Sequence, residues 1–242
     1  HCAYTSSGAS HNYYFASTTG ENSFISIYTP ELEEVEYLKL EKDMLFSDFI
    51  TSPDKVYTIG TEVEATEVEN GKNYFKNILI SISKNDGDFS IDTIKELEVN
   101  KEKQYFFNDV ITKGNYLYAV SAGWRDLDSL EKIYVGAIYR YDLVNATSEF
   151  YTIEEIFPSD IYDIGDDFLA ISHESITIDK LGFTIFNYET LQSEFVDISP
   201  YAISENERIV DIKRLDLNHL LLLTENQLIV YDILKGTITL QL

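Results

Sequence analysis

The sequence predicts an all-β protein, and three observations carry that prediction. A 14-residue unit recurs four times without a gap, at Asp48 to Thr61, Asp109 to Ala122, Asp160 to His173 and Asp211 to Thr224. Each copy reads as an apolar strand, a tight turn and a second apolar strand, and most of the turns carry the Gly, Pro, Asn or Asp that supply turn dihedrals. Successive starts lie 61, 51 and 51 residues apart, close to the ~40–50-residue period of propeller blades.

A fainter copy opens the chain, with Ser6 in the Asp position and Tyr14 to Thr18 matching Leu117 to Ser121. A third strand follows in every unit, at 24–28, 78–82, 137–141, 183–186 and 228–231. It usually ends on an aromatic before a polar turn, as in Tyr141-Asp142, Phe186-Asn187 and Tyr231-Asp232. A more polar fourth strand closes the unit at 35–40, 150–153, 195–198 and 237–240. Apolar inner strands and polar outer ones are what a radial stack of sheets requires. The expected architecture is one domain, a five-bladed β-propeller of four-stranded antiparallel blades at about 2–40, 44–98, 105–153, 156–199 and 207–242. Pro30 to Leu40 and Thr93 to Val99 are good helix formers by composition, but the repeat register places outer strands there. In this phase blades one and five close the ring by packing alone, with no blade shared between the chain ends.

Composition narrows the partners. Forty-two Asp and Glu against 18 Lys and Arg give a net charge of -24. That field repels phosphate backbones and anionic lipid, which excludes nucleic acid and membrane surfaces, and it attracts cations and basic proteins. Solubility alone also accounts for it. The longest apolar run, Leu220 to Leu223, cannot span a membrane. The chain opens on His rather than Met and shows no signal peptide, so a processed or trimmed chain is expected. Cys2 is the only cysteine, so no internal disulfide forms. Its place before small polar residues matches the lipid-bearing cysteine of a mature bacterial lipoprotein, although His1 departs from that pattern, and an ordinary chain-edge cysteine fits equally.

Blade three reads Asn108-Asp-Val-Ile-Thr-Lys-Gly-Asn-Tyr-Leu-Tyr-Ala-Val120, and later Gly136-Ala-Ile-Tyr-Arg-Tyr-Asp142. This resembles the LVIVD-type repeat of bacterial and archaeal cell-surface propellers. Only blade three matches closely; blades one and two have Thr29 and Ser83 where the repeat ends in Asp. The resemblance implies an extracytoplasmic binding or scaffold protein and transfers no active site.

Function is expected on the connections between second and third strands. That connection is brief at Thr224 to Asn226 but long at Thr61 to Asn77, Ala122 to Ile133 and His173 to Gly182. A scaffold tight at one end and elaborated at the other displays a site on the elaborated end. The first long connection carries Glu62, Glu64, Glu67 and Glu69, the second Trp124, Arg125, Asp126 and Asp128, the third His173, Glu174, Asp179 and Lys180. An exposed Trp beside Arg is a common anchor for a protein or glycan partner; a packing lid over a neighbouring blade is the competing role. The Glu-rich stretch offers carboxylates to Ca²⁺ but lacks the dense oxygen spacing of a calcium loop, and its alternation of Glu with Val and Ala reads as an extended hairpin. No cofactor is expected.

The repeated Asp48, Asp109, Asp160 and Asp211 fall on the predicted innermost strands. A carbohydrate-active enzyme using inner-strand carboxylates is the alternative function. Catalysis needs carboxylates in different environments, whereas one Asp at the same place in each unit points to a repeated structural job. No Gly-rich phosphate loop, Gly-x-Ser-x-Gly or His-Glu-x-x-His is present. Asn145-Ala-Thr147 is a glycosylation acceptor pattern of a kind common by chance.

Overall fold

The computed structural model describes residues 7–10, 13–18, 23–47, 49–51, 55–62, 66–68, 72–74, 76–97, 103–126, 132–153, 157–174, 180–205 and 207–242; the side chains of some strand residues, 124–126 among them, lie outside that description. Among the described residues there is no α-helix, only strands and one 3-10 turn at Ser199–Tyr201. The strands form five antiparallel sheets and one small hairpin.

The first sheet runs β1 (Ser7–Ser10), β2 (Tyr13–Thr18), β3 (Phe24–Tyr28), β4 (Glu34–Lys39) in chain order. The second contains β5 (Met44–Phe46), β6 (Ile50–Thr51), β7 (Lys55–Glu62), β10 (Asn77–Asn85) and β11 (Asp88–Leu97), with β8 (Thr66–Val68) and β9 (Lys72–Tyr74) paired separately between β7 and β10. The third follows β12 (Lys103–Lys113), β13 (Tyr116–Asp126), β15 (Ala137–Asp142), β16 (Ser148–Thr152), with β14 (Lys132–Ile133) beside β13. The fourth is β17 (Pro158–Asp163), β18 (Phe168–His173), β19 (Gly182–Asn187), β20 (Gln192–Asp197). The fifth is β21 (Ile209–Arg214), β22 (His219–Thr224), β23 (Leu228–Asp232), β24 (Thr237–Gln241). The two helix-forming stretches are strands here, β4 and the end of β11, because pairing along the sheet edge outweighs local propensity.

The first strand of the second sheet is not continuous, as the repeat implied, but split into β5 and β6, both paired with β7. Ser47 sits at the break. Its N–H donates to the Ile59 carbonyl at 2.9 Å while its Oγ accepts the Ile59 N–H at 3.0 Å, so one residue satisfies both backbone groups of Ile59 across the interruption.

The chain divides into two compact units, His1–Thr112 with Arg125–Lys132, and Lys113–Trp124 with Ile133–Leu242. In the first, β1 lies beside β6 and β4 beside β11. Ile25 and Ile27 of β3 pack with Met44, Phe46, Phe49, Val56, Ile80 and Ile82 of the second sheet into one core. In the second unit, β17 and β18 lie against β21, and Ala170, Phe183, Ile212, Leu220, Leu222 and Tyr231 form the seam between the fourth and fifth sheets. The Phe183 and Tyr231 rings meet edge to face, 5.4 Å apart. Between the third and fourth sheets the seam is aromatic, with Tyr118 of β13 and Tyr151 of β16 6.5 Å and 6.0 Å from Phe186 of β19. Burial pushes the Tyr118 hydroxyl up to about 12, against the pull of the Arg140 guanidinium.

Within this unit one end of each sheet is closed by side-chain carbonyls and carboxylates. Asp142 Oδ1 accepts the N–H groups of Val144 and Asn145 at 2.8 and 2.9 Å, Asn187 Oδ1 those of Glu189 and Thr190 at 3.0 and 2.8 Å, and Asp232 Oδ1 that of Lys235 at 3.0 Å. Charge pairs join neighbouring sheets at the same end. Lys113 Nζ lies 2.7 Å from Asp163, and Arg214 Nη2 2.8 Å from Asp166.

Gly182 opens β19 where a β-carbon would stand 2.3 Å from Phe195 Cζ and 2.5 Å from the Val196 carbonyl oxygen. The carbonyl belongs to the paired strand and cannot withdraw. Gly182→Ala is expected to destabilise by about 1–3 kcal/mol, the ordinary cost of overpacking, seen as a lower urea midpoint at unchanged m-value.

Candidate functional site

The structure relocates several residues expected on exposed loops. Glu62 is the last residue of β7 and only 3% exposed; Lys42 Nζ reaches its two oxygens at 2.8 and 2.9 Å. A carboxylate so placed closes the end of the second sheet, which corrects its assignment to a ligand-facing loop. His173 ends β18, is 2% exposed, and meets Thr184 Oγ1 at 2.7 Å and the Phe195 ring edge-on at 5.6 Å. It is a core histidine, again a correction. Trp124, Arg125 and Asp126 belong to β13, which runs on to Asp126 with β14 alongside, so they stand on an extended strand rather than in a loop. Glu64, Asp128, Cys2 and Asp48 lie outside the described residues. The Glu-rich connection does form an extended hairpin, β8–β9, with Thr66 opposite Tyr74.

Asp109, Asp160 and Asp211 are all part-buried on first strands. Asp109 Oδ1 accepts the N–H of Val110 at 2.8 Å. Asp160 Oδ2 accepts the Ser172 hydroxyl from β18 at 3.0 Å, and Asp211 lies 3.3 Å from Lys213 Nζ. Their described partners differ from sheet to sheet. Among the described residues no group of three or more His, Cys, Asp or Glu is placed to hold a metal ion.

Of the expected loop residues, Glu174 and Lys180 are described with exposed side chains, and the structure adds companions to Glu174 that the sequence reading missed. The Glu174 N–H donates to the Phe157 carbonyl at 3.0 Å. Phe157 has φ +55°, a left-handed conformation costly for an aromatic residue. Its ring stacks on that of Tyr134, centroids 4.5 Å apart and planes 29° apart. Tyr134 is 48% exposed. Gly123 makes its placement possible, because with φ +138° a β-carbon there would stand 2.2 Å from the Ile133 carbonyl oxygen and 3.0 Å from Tyr134 Cα. The available sequence signal was Phe-Pro at 157–158, an aromatic ahead of a proline just before a predicted first strand.

The fifth sheet ends differently. Glu207, 1% exposed, receives the Ile203 N–H at 2.7 Å, Gln227 Nε2 at 3.1 Å and the Thr224 hydroxyl. Gln227 and Gln241 both also donate to the Tyr201 carbonyl, at 2.9 and 3.0 Å. That end is sealed.

No family model matches the chain, and none of the curated proteins matches it either. Solved structures share its fold. AztD from Citrobacter koseri superposes with a TM-score of 0.56 at 12% identity, covering 98% of this chain and 58% of AztD. The extracellular domain of BT4673 from B. thetaiotaomicron gives 0.58 at 14% identity, covering 96% of this chain and 27% of that one. A chimera named ACO/RPE65 gives 0.52 at 10% identity over 96% and 59%. This chain spans less than two thirds of each. At such identities the likeness shows the fold alone, an all-β, propeller-like array of four-stranded antiparallel sheets.

Burial works to raise the Glu207 pKa, but the hydrogen bonds from Thr224, Ile203, Gln227 and Ser204 outweigh it and hold the carboxyl below the usual glutamate range. Its stabilisation is therefore complete above that range and lost as pH falls through the depressed value. Glu207→Gln turns an NH₂ toward groups that all donate. It should cost about 1–3 kcal/mol at pH 7 and flatten the acid limb of a stability-versus-pH curve measured by chemical denaturation.

Proposed function

We propose that the chain is an extracytoplasmic binding module whose five sheets are blades of one five-bladed propeller, with its ligand face on the connections between second and third strands. The observation that carries the reading is the contrast between the two ends of the third and fourth sheets. One end is closed by Asp142 and Asn187 and by ion pairs, while the other holds exposed Tyr134 stacked on strained Phe157. The likeness to an extracellular domain supports the location, and the LVIVD-type resemblance of blade three points the same way. Among the described residues no helix is long and apolar enough to cross a membrane. A protein or glycan partner, a lipid on Cys2, and contacts from Trp124, Arg125, Asp126, Asp128 and Glu64 belong to this proposal.

The ring reading has a test of its own. On the fifth sheet, Leu221, Val230 and Leu240 form one cross-strand row beside the Leu223–Leu228 pair, on the face opposite buried Leu220 and Leu222. Leu223 and Leu240 are 43% and 46% exposed. A closed ring covers that face with another blade. Leu223→Lys then costs about 2 kcal/mol or more by thermal or urea unfolding, as for any charge placed in an apolar seam; a change within about 0.5 kcal/mol, typical of free surface, means the ring is not closed there.

For the binding face, the wild type and a Trp124→Ala/Arg125→Ala double variant are compared by biolayer interferometry against arrays of glycans and peptides. A hit that loses about tenfold or more in affinity at unchanged melting temperature supports the face; hits unaffected by the pair remove Trp124 and Arg125 from it.

A further inference from the structure

We infer that Tyr134, Phe157 and Glu174 form a seat for an organic cation, and that its natural occupant is an arginine or lysine side chain in a basic segment of a partner protein. The inference rests on the binding-module reading and names the partner chemistry of that face.

Three independent features converge on the spot. The first is strain. Phe157 precedes Pro158, a position that proline biases toward extended backbone, yet it holds φ +55°. An aromatic residue in that conformation is unfavourable, and such strain clusters where a clamp or ligand site needs a fixed geometry. The strained backbone is held from both sides. Glu174 N–H donates to the Phe157 carbonyl at 3.0 Å, and Pro158 pairs with His173 in the β17–β18 ladder.

The second feature is the aromatic pair. Its rings lie 4.5 Å apart and nearly parallel, and Tyr134 keeps about half its surface in water although the stack fixes its orientation. The 133–135 backbone is set against β13 through Gly123, the residue whose missing side chain leaves room for it. An exposed ring that is already ordered loses little entropy when a flat or cationic group settles on it.

The third is charge. Glu174 is exposed at the residue that bonds Phe157, and the whole chain carries -24. The electron-rich face of a tyrosine attracts a cation, and a negative field raises the local concentration of positive ligands. A neutral sugar also stacks on aromatic rings but gains nothing from the field, so charge selects the cation.

The test titrates the full chain with the tripeptide amide Arg-Lys-Arg by isothermal calorimetry, in low and in physiological salt. Tyr134→Ala is expected to weaken binding about tenfold, Tyr134→Phe to keep it, and Glu174→Gln to weaken it about threefold or more. Glu33→Gln, which removes the same charge from an exposed turn of the first sheet, should stay within about twofold. Phe157→Gly fits the left-handed backbone, so it keeps the fold, checked by melting temperature, while losing affinity. Equal affinity for wild type and Tyr134→Ala overturns the seat, as does a Glu33→Gln loss matching that of Glu174→Gln, which signals diffuse attraction only. Binding of a neutral hexasaccharide in place of the tripeptide, sensitive to Tyr134→Ala, overturns the cation. If the tripeptide ignores Tyr134→Ala but is lost with Trp124→Ala/Arg125→Ala, the seat fails and the binding face stands.

Discussion

The structure depends on sheets whose strands are apolar on both faces. Leu117, Tyr118, Ala119 and Val120 run consecutively along β13 and none has exposed surface; Leu169, Ala170 and Ile171 do the same in β18. A strand alternates its side chains between faces, so burying every residue means a neighbour on each side. No four-stranded sheet can meet that demand alone. Stacking sheet on sheet is the solution, and it forces the flat seams, the aromatic layer of Tyr118, Tyr151 and Phe186, and the compact turns that let one sheet approach the next. β22 is the exception that defines the rule. Leu220 and Leu222 are buried while Leu223 is 43% exposed, so the two faces of β22 are not buried alike.

That constraint explains what was legible in the sequence. Five sheets, their strand order and even the strand state of the helix-prone 30–40 stretch followed from repeat register, because burial on both faces stamps continuous apolar runs between turn residues. The site was legible only in outline. Glu62 and His173 looked like loop residues because polarity at a strand end is silent about a partner 20 or 11 residues away; Lys42 and Thr184 complete their environments only in three dimensions. The extension of β13 past Ser121 was hidden for a similar reason, as its partner β14 is two residues long and carries no pattern. Phe157 and Tyr134 escaped because a left-handed aromatic has no sequence signature, and because their pairing joins a connection within one blade to a linker between blades.

Cations are scarce in this chain, 18 against 42 acids, so their positions are informative. Lys113 and Arg214 bridge adjacent sheets at the closed end, and Lys42 meets the buried Glu62 at the end of β7. Exposed pairs contribute little each. Arg214 does more than pair, since its guanidinium also donates to the carbonyls of Ile164, Asp216 and Leu217, binding two turns with one planar group. Deployment of cations at seams leaves much of the acidic surface uncompensated, and the field that results is a property of the whole chain rather than of one cluster.

Where second strands lead into third, the fourth and fifth sheets show opposite solutions to one problem. Where a connection crosses the end of a sheet, its backbone groups need partners. At the fifth sheet a buried carboxylate gathers donors from Ile203, Thr224 and Gln227, and the end is dry and shut. At the fourth, the crossing chain satisfies its carbonyl through Glu174 but holds Phe157 in a conformation that a glycine would adopt without strain. Stability alone would favour that glycine, or a sealed end like its neighbour's. Keeping an aromatic there, and aligning a half-exposed tyrosine on it through Gly123, trades stability for a fixed and accessible surface, and that trade is what the proposed cation seat rests on.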